Sequence, residues 1–482
     1  MKKDNNKDKI KKDTKKTTID SKKNTKKSDK LEENIKENEK INKYTTKSKK
    51  RRKRRKKRKF KKKVIIVFSI ILLIFAISVL LIITHTIKEK RIEEKQNNLK
   101  KEITSHYNEF VKTNKETDLY KIENGNYTKC GKIGSSQELS LKDTEITHEK
   151  EYFEITTFEE SYYIYYKDLE KIEKLSDTSD RYKKYIVWNT NIITKDTTNF
   201  YDEDNNLVYT FNQSFDLPII IKKKNIYGVE FNNRLLYVKK EDIKETKKIN
   251  NTNKKNTSGV PVLNYHFVYD PKKENCNQII CHTVTQFETH LSYIKDNNVF
   301  TPKMEELEMY IDGEIQLPKS VVITIDDGRN VNLATDLLEK YKLNATAFIV
   351  TSRYNVEKEF TKSEYVELHS HSHKLHSAGT CPAGHGQGGG LTCLSDDKIL
   401  NDLKKSREIL NESTAFCYPF YEFTSHSIEL LKKAGFTMAF AGEYTGGKTK
   451  AVVGIDKFRI PRWVIVNYTT MNEFTKYVNG TT

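Results

Sequence analysis

The stretch Val321-Val322-Ile323-Thr324-Ile325-Asp326-Asp327-Gly328 runs from β-branched residues directly into two carboxylates and a glycine. A short apolar run that ends at a turn residue is typical of a strand buried inside a parallel sheet. Sites in such folds lie at the carboxyl ends of the strands, which is where Asp326 and Asp327 fall. This pair can aim one carboxylate at a metal ion and the other at a water molecule.

Four histidines cluster further along the chain, in Glu367-Leu368-His369-Ser370-His371-Ser372-His373-Lys374-Leu375-His376. Two histidines and one carboxylate that leave a coordination position open form the ligand set of a hydrolytic Zn²⁺ site. The two segments together therefore predict a metal-dependent hydrolase.

Residues 259–477, the predicted catalytic domain, alternate predicted strands with predicted helices. The strands cover residues 260–266, 320–325, 345–350, 415–418 and 436–441, and a further strand ends at Glu367 before the histidines. The helices cover residues 286–297, 301–310, 331–341, 396–410 and 425–434. This order predicts an α/β fold whose parallel sheet closes into a (β/α) barrel.

The N-terminal tail, residues 1–63, carries almost all of the basic charge. It holds 31 Lys+Arg and 9 Asp+Glu, a net charge of +22, whereas the whole chain of 482 residues carries +20. Because the tail has almost no apolar residues to bury, we expect it to be disordered. Nucleic-acid binding is the alternative use of its basic run, residues 51–63, and we do not expect a nucleic-acid partner.

Residues 64–84 predict a transmembrane helix, since residues 64–83 form an uncharged run long enough to cross a bilayer. A cleaved signal peptide is the weaker interpretation, because the run is long and no small-residue cleavage site follows it. The basic run on its N-terminal side predicts a cytoplasmic tail and an extracellular catalytic domain. The tail would also contact anionic lipid head groups.

The six cysteines fit an exported chain. Cys276 and Cys281 are close in sequence, as are Cys381 and Cys393, and these two pairs are the predicted disulfides. Free thiols throughout are the alternative.

Between the membrane segment and the catalytic domain, residues 85–112 are predicted to form a helix-compatible stalk and residues 113–243 a β-rich module with a weak internal repeat. Each repeat ends in an aromatic strand followed by Lys, an acidic residue and an aliphatic residue. The module resembles tandem bacterial Src-homology-3-like barrels, which often attach to cell-wall polymers; a β spacer without a ligand is the alternative. Residues 244–258 are predicted to be a polar linker.

Three motifs of the catalytic domain resemble those of the polysaccharide deacetylase family, the N-deacetylases of chitin oligosaccharides and peptidoglycan. Thr324-Ile325-Asp326-Asp327-Gly328 resembles the Thr-Phe-Asp-Asp-Gly motif, residues 370–376 the second motif, and Ala415-Phe416-Cys417-Tyr418-Pro419-Phe420 the third. The resemblance covers residues 258–475. It implies a distorted (β/α) barrel that hydrolyses the acetamido group of an N-acetylhexosamine polymer.

Two pairs of histidines fit the second motif. Most family members space these histidines at i and i+4, which His369 and His373 match, whereas His371 and His376 resemble the pattern of the poly-N-acetylglucosamine deacetylase branch. We favour His371 and His376, together with Asp327, as the ligands of a divalent ion such as Zn²⁺.

The resemblance also implies the catalytic acid and base. Asp326 is the expected base that takes a proton from water, and His266 is the expected acid that protonates the departing amine. No histidine follows His426, so the family's usual C-terminal Leu-x-His acid motif is missing; the Tyr-His pair that ends in His266 matches the acid of the same branch.

Three further residues complete the expected site. A backbone N–H near Tyr418 and Pro419 would stabilise the tetrahedral oxyanion, and Arg462 is a candidate to keep Asp326 ionised. These features predict a membrane-anchored extracellular hydrolase that removes N-acetyl groups, acting on carbon–nitrogen but not peptide bonds, from peptidoglycan or poly-N-acetylglucosamine. Two alternatives stay open: an inactive barrel that serves as a cell-wall-binding protein, and an O-acetyl polysaccharide esterase.

Overall fold

A computed structural model describes residues 33–106, 109–142, 151–155, 160–176, 180–250, 258–442 and 450–481. The chain divides into two compact units, Met1–Asn97 and Asn98–Thr482. The β module and the catalytic domain both belong to the second unit.

The N-terminal part of the chain is described as one long helix, α1 (Glu33–His106). Its segment Arg58–Lys95 contains an 18-residue window with a mean hydropathy of 3.4 and no buried residues. By length and composition, it is the one described helix that could cross a membrane. Residues 33–63 of the predicted tail are part of α1. Lys, Arg and Glu are good helix formers, and no Gly or Pro interrupts them. Residues 1–32 of the predicted tail lie outside the described residues.

The β module has two halves with the same strand order. In the first half, β1 lies between β4 and β7; in the second, β8 lies between β11 and β15. A short 3₁₀ turn, Tyr166–Asp168 or Lys240–Asp242, precedes the last strand of each half. The halves join where β3 and β10 pair side by side in one nine-stranded sheet.

The strands of the module are β1 (Phe110–Thr113), β2 (Thr117–Glu123), β3 (Asn126–Ile133), β4 (Glu138–Ser140), β5 (Tyr152–Ile155), β6 (Tyr162–Tyr165), β7 (Leu169–Lys171), β8 (Thr190–Thr194), β9 (Thr198–Tyr201), β10 (Leu207–Phe211), β11 (Asp216–Pro218), β12 (Ile221–Lys222), β13 (Ile226–Phe231), β14 (Arg234–Lys239) and β15 (Ile243–Lys248). The segment predicted as a linker thus begins with a strand, β15, which pairs with β8. Residues 251–257 of that segment lie outside the described residues.

The module packs directly against the catalytic domain. Tyr182 and Tyr185, from the segment between its two halves, belong to the same buried cluster as Val262 and Leu307 of the catalytic domain. Arg181 pairs with Glu306 through two nitrogen–oxygen contacts, and the Tyr185 hydroxyl donates to the same carboxylate at 2.7 Å. Because a buried apolar cluster and a partly buried ion pair join them, the two parts are held as one body.

The catalytic domain is built on a parallel sheet of seven strands in the order β23-β22-β21-β20-β19-β16-β24. These strands are β16 (Val262–Tyr265), β19 (Val322–Ile325), β20 (Ala345–Ile349), β21 (Val366–Ser370), β22 (Ala415–Cys417), β23 (Met438–Phe440) and β24 (Trp463–Val464). Phe440, at the end of β23, also forms a parallel bridge with Ile460, just before β24. The two edges of the sheet therefore approach each other, as in a barrel.

Helices cover the outside of this sheet: α2 (Val284–Asp296), α3 (Met304–Ile311), α4 (Val331–Tyr341), α5 (Val356–Glu359), α6 (Asp396–Ile409), α7 (Ser425–Ala434) and α8 (Met471–Asn479). A small parallel pair, β17 (Phe267–Tyr269) and β18 (Cys281–Thr283), lies beside β16 in sequence and leads into α2. The mixed α/β architecture with a parallel sheet is the one predicted. Helix α8 ends at Asn479, two residues after the predicted catalytic boundary at residue 477.

Candidate active site

The carboxyl ends of adjacent strands bring the predicted site residues to one edge of the sheet. His266 follows β16, Asp326 and Asp327 follow β19, and His371 follows β21. Because these strands are parallel and neighbours in the order β16-β19-β20-β21, their following loops meet at the same edge.

A sharp turn separates the two adjacent carboxylates. Asp327 has a φ of 71° and Gly328 a φ of 92°, both in the left-handed region. Glycine is required at the second position, because a Cβ there would lie 2.8 Å from the ring of Tyr354. The turn leaves Asp326 buried, while Asp327 stays a quarter exposed. One carboxylate is thus held inside the protein and the other lies at the cleft.

Asp326 is paired with a buried cation. Arg462 Nη1 donates to Asp326 Oδ1 at 2.8 Å and to Thr324 Oγ1 at 3.2 Å, and the arginine is 1% exposed. Burial alone would raise the pKa of the carboxyl, but Arg462, aided by His371 and His266, holds the pKa of Asp326 well below its usual range. Asp326 is therefore ionised at neutral pH.

Cys417 completes this buried pair, although the sequence motif gave it no role. Its Sγ donates to Asp326 Oδ2 at 3.3 Å and accepts from Arg462 Nη2 at 3.0 Å. Its backbone carbonyl accepts a hydrogen bond of 2.8 Å from Nδ1 of His371. One residue at the end of β22 thus contacts the predicted base, the arginine and a predicted metal ligand. The only signal in the sequence is its position, one residue before Tyr418 in the third motif.

Asp327, His371 and His376 lie together, and each offers one ligand atom within 4.8 Å of the others. Asp327 Oδ1 is 3.7 Å from His371 Nε2 and 3.2 Å from His376 Nε2. This oxygen is buried and has no hydrogen-bond partner among the described residues. Because the His371 Nδ1–H is fixed on the Cys417 carbonyl, the Nε2 lone pair faces Asp327. The donor set, an unsatisfied carboxylate oxygen and imidazole nitrogens, fits a divalent ion such as Zn²⁺.

The two histidines of this set are neutral at physiological pH. Burial lowers the pKa of each to about 4, and only a neutral imidazole can bind a metal ion. His376 is braced by Arg353, whose Nη2 donates to the His376 carbonyl at 2.9 Å and lies 3.1 Å from its Nδ1. The ring of Phe420 packs against His376 with 4.3 Å between ring centres. The sequence motifs assigned no role to Arg353 or to Phe420.

A second trio, Asp326, His371 and Cys417, also lies within 4.8 Å. The Arg462 guanidinium already contacts both Asp326 and Cys417. Because a cation already occupies this position, the trio is unsuited to a metal ion.

The alternative histidine pair points elsewhere. His369 Nδ1 contacts Ser413 Oγ at 2.9 Å, and His373 Nδ1 contacts Thr351 Oγ1 at 2.9 Å. Neither residue is within ligand distance of Asp327 in the described structure. Of the two spacings left open by the sequence, the structure brings His371 and His376 to the carboxylate.

His266 lies at the same edge of the sheet. It is close enough to Asp326 and to His371 to influence the pKa of both. Its Nδ1 is buried without a hydrogen-bond partner in the described structure, so this nitrogen is not tied to a structural role.

The backbone N–H groups of the third motif differ in whether they are already hydrogen-bonded. The Tyr418 N–H donates to the Phe440 carbonyl at 3.2 Å, and its hydroxyl donates to the Phe458 carbonyl at 2.9 Å. Tyr418 is therefore a buried structural residue, and Pro419 has no N–H to offer. The next N–H, that of Phe420, has no backbone partner in the described structure. An oxyanion donor near Tyr418 would thus come from Phe420.

Phe420 and Tyr421 are held in an unusual backbone conformation, with φ of 57° and 61°. Residues with a Cβ rarely adopt this region. The conformation lets the Tyr421 hydroxyl donate to Asn264 Oδ1 at 2.7 Å, while its ring lies over the Arg462 guanidinium at 5.6 Å. Tyr421 thus covers the buried ion pair.

A glycine-rich loop, residues 384–390, packs against Phe420. One carboxylate, Glu422, accepts hydrogen bonds from four backbone N–H groups of this loop, at Gly384, Gly386, Gly388 and Gly389. A Cβ at Gly386 would lie 2.3 Å from the Phe420 carbonyl oxygen, so the loop backbone packs against Phe420. The Cys381–Cys393 disulfide closes the loop. Both predicted disulfides, this one and Cys276–Cys281, are present, and Cys130 and Cys417 are buried free thiols.

Comparison with known proteins agrees with the motifs. Residues 314–439 match the family model for polysaccharide deacetylase. Similar solved structures include a de-N-acetylase from Aggregatibacter actinomycetemcomitans, with 20% identity, coverage of 45% of this chain and 99% of that chain, and a TM-score of 0.38. They also include IcaB from Ammonifex degensii, which has 20% identity and a TM-score of 0.37; the match covers 46% of this chain and 96% of that chain. A polysaccharide deacetylase from Bacillus cereus has 18% identity and a TM-score of 0.35, and the match covers 72% of this chain and 99% of that chain.

No curated protein sequence matches the chain. The matched segment contains Asp326, Asp327, His371, His376 and Cys417. Residues 314–439 of the chain therefore form a polysaccharide deacetylase domain.

Proposed function

We propose that this chain is a metal-dependent hydrolase that removes N-acetyl groups from an N-acetylhexosamine polymer. The observation that carries the proposal is the pairing of two sets of side chains at one sheet edge. Asp327, His371 and His376 offer an open ligand set, and beside them Asp326 is kept ionised by Arg462. A deacetylase needs both a Lewis acid and a base for the water that attacks.

Asp327, His371 and His376 would hold the metal ion. A divalent ion such as Zn²⁺, when bound there, would polarise the acetyl carbonyl and make water a better nucleophile. The Cys417 carbonyl supports this role, because it orients the His371 ring.

The remaining steps fall to the side chains around this set. Asp326 would accept the proton of the attacking water, since Arg462 keeps it in the ionised form that a base requires. His266 would donate a proton to the departing amine. The Phe420 N–H would donate a hydrogen bond to the oxyanion that forms at the acetyl carbon.

Two polymers are candidate substrates. The spacing of His371 and His376 resembles the poly-N-acetylglucosamine deacetylase branch and supports that polymer, and peptidoglycan is the alternative substrate. An O-acetyl esterase and an inactive wall-binding barrel are the competing functions. The intact base and ligand set argue against an inactive barrel.

We further infer that α1 anchors the protein in the membrane with the catalytic domain outside. The apolar segment Arg58–Lys95 and the adjacent basic run support this orientation. The repeated strand order of the β module supports the interpretation as two Src-homology-3-like barrels that contact wall polymer. Protease added to intact cells should remove the catalytic domain and spare the tail; cleavage of the tail alone would reverse the orientation.

Acetate release tests the catalytic proposal. The full-length protein in detergent is incubated with peptidoglycan, with poly-N-acetylglucosamine and with an O-acetylated xylan. Acetate should appear from one of the N-acetylated polymers, disappear after chelation and return with added Zn²⁺. Acetate from xylan alone would favour the esterase, and no acetate from any polymer would favour the inactive barrel.

A further inference from the structure

A cavity of about 140 Å³ lies outside the predicted catalytic set. It is formed between the start of α2 and the segment that joins β24 to α8. His282, His290, Asn467 and Met471 contribute to its wall, and no charged side chain does. The proposed mechanism uses none of these residues.

The strand register places this cavity next to His266. Residue Val464 of β24 pairs with Asn264 of β16, and the Ile465 N–H donates to the Asn264 carbonyl at 2.9 Å. Continuing this register brings Val466, which lines the cavity, level with His266. On the other side, His282 of β18 pairs with Val268 of β17, two residues after His266. The cavity is therefore on the active-site edge, on the side of the predicted acid.

Exposed apolar side chains lie on the segments that form the cavity. Met471, in its wall, is 37% exposed. Tyr468, between the wall residues Asn467 and Thr469, is 68% exposed, and Ile279, whose carbonyl accepts from the Asn467 N–H at 2.7 Å, is 55% exposed. Outside α1, only three other large hydrophobic side chains are this exposed in the described structure, and they are scattered: Ile122, Leu207 and Val453. The presence of half of these side chains on the segments around one cavity indicates a binding surface.

The floor of the cavity is polar but uncharged. Neither ring nitrogen of the buried His282 has a hydrogen-bond partner of good geometry in the described structure, although the Ile280 and Val466 backbones lie near the ring. In His290, the ring nitrogen Nδ1 lies 2.9 Å from the Tyr265 hydroxyl. Burial lowers the pKa of both histidines to about 4, so both are neutral at physiological pH. Such a floor suits a neutral ligand that carries hydroxyl groups, and an ionic ligand would find no counter-charge.

We propose that this cavity is a secondary subsite that binds one N-acetylhexosamine unit of the polymer, next to the unit whose acetyl group is removed. The proposal rests on the proposed function. A pyranose has apolar C–H faces that pack on an aromatic ring such as Tyr468, and hydroxyl groups that hydrogen-bond to imidazole and amide groups. The position beside His266 makes the cavity continuous with the catalytic edge, which is what an extended sugar chain requires.

Substrate-length dependence tests the subsite. Acetate release by the full-length protein in detergent is measured with monomeric N-acetylglucosamine, which cannot reach the subsite, and with its hexamer, for the wild type and for Tyr468→Ala. We expect the substitution to raise KM for the hexamer about fivefold. It should leave kcat and all monomer kinetics unchanged, because Tyr468 is exposed and outside the catalytic set. Tyr468→Phe keeps the ring and should match the wild type, and Leu207→Ala is the matched control for loss of an exposed apolar side chain.

The outcomes separate the subsite from the proposed function. An unchanged hexamer KM in Tyr468→Ala, or an equal rise for monomer and hexamer, would overturn the subsite. A wild type that does not prefer the hexamer would overturn it as well. A wild type that releases no acetate from either substrate would instead overturn the proposed function.

Discussion

At the scale of single residues, the adjacent carboxylates of Asp326 and Asp327 differ in their burial and in their hydrogen-bond partners. Asp326 is buried against the Arg462 guanidinium, which offsets the cost of burying its charge. Asp327 lies at the cleft with a buried oxygen that has no hydrogen-bond partner in the described structure. The sharp turn at Asp327 and Gly328 is what allows neighbours in sequence to differ in this way.

Cys417 should act as a positioning residue for this pair. Cys417→Ala keeps the carbonyl that orients His371 but removes the thiol between Asp326 and Arg462. Because one hydrogen-bonded contact is lost, we expect kcat to fall about tenfold with KM nearly unchanged. Steady-state kinetics on the preferred polymer measure both constants.

Cys417→Ser is the matched rescue. A hydroxyl also donates to a carboxylate and accepts from a guanidinium, so kcat should stay within about threefold of the wild type. If the serine variant is as slow as the alanine variant, the thiol matters for packing and not for its contacts with Asp326 and Arg462.

At the scale of elements, the Glu422–glycine loop contact should stabilise the metal-binding side of the cleft. Glu422→Gln replaces a carboxylate that accepts four N–H bonds with an amide that has a single acceptor oxygen and places donors against donors. We expect the free energy of unfolding to fall by about 1–3 kcal/mol. Metal affinity should fall too, because Phe420 would no longer be held against His376.

Thermal unfolding and metal titration measure these two effects. Glu408→Gln, on the exposed face of α6, is the control and should change neither. A Glu422→Gln protein with wild-type stability and wild-type metal affinity would show that the loop does not brace His376.

Much of the catalytic domain was predictable because hydrophobic residues recur with different periods in its strands and in its helices. The helices α4 and α7 lie where the sequence predicted them, and the buried run before Asp326 is strand β19. For the tail, composition alone does not decide between two outcomes. Low apolar content predicts disorder, whereas the Lys, Arg and Glu of residues 33–63 are strong helix formers.

Contacts that depend on tertiary structure could not be predicted. The sequence left two histidine pairs open, and only the loop after β21 decides which pair meets Asp327. The Tyr418 N–H was unavailable for the oxyanion because β23 lies beside β22, and this pairing has no local signature. For the same reason the roles of Cys417 and Arg353 emerge only in the folded protein.

At the scale of the whole molecule, the β module and the barrel should unfold together. Arg181→Ala leaves Glu306 buried without its cation, which typically costs about 3 kcal/mol. We expect the single cooperative unfolding transition of the Asn98–Thr482 unit to move to a lower temperature and to split into two transitions. Calorimetry of the full-length protein in detergent measures this. Lys183→Ala removes an exposed partner of Asp180 and serves as the control; an equal effect of both variants would contradict a specific docking contact.

Acid should destabilise the protein below neutral pH. Burial lowers the pKa of His282 and His290 to about 4, whereas an unfolded histidine titrates near about 6.5. Between these values the unfolded state binds more protons, so the stabilisation present at higher pH is lost as the pH falls from about 6.5 to 4, by up to about 3 kcal/mol for each histidine. Denaturant unfolding across this pH range should show the loss in the free energy of unfolding, and His282→Gln should make that free energy depend less steeply on pH. An equally steep loss in that variant would exclude His282 as a source.

The proposed mechanism gives Asp326 the role of base and Asp327 the role of metal ligand. One paired measurement tests this division: the metal content and the acetate release of Asp326→Asn and Asp327→Asn. Asp326→Asn should keep wild-type metal content and lose about 10²–10⁴-fold in kcat, because an amide cannot accept the proton of the water. Asp327→Asn should lose the metal, and its activity should recover in part at high Zn²⁺. Loss of metal from Asp326→Asn, with normal metal content in Asp327→Asn, would contradict the account.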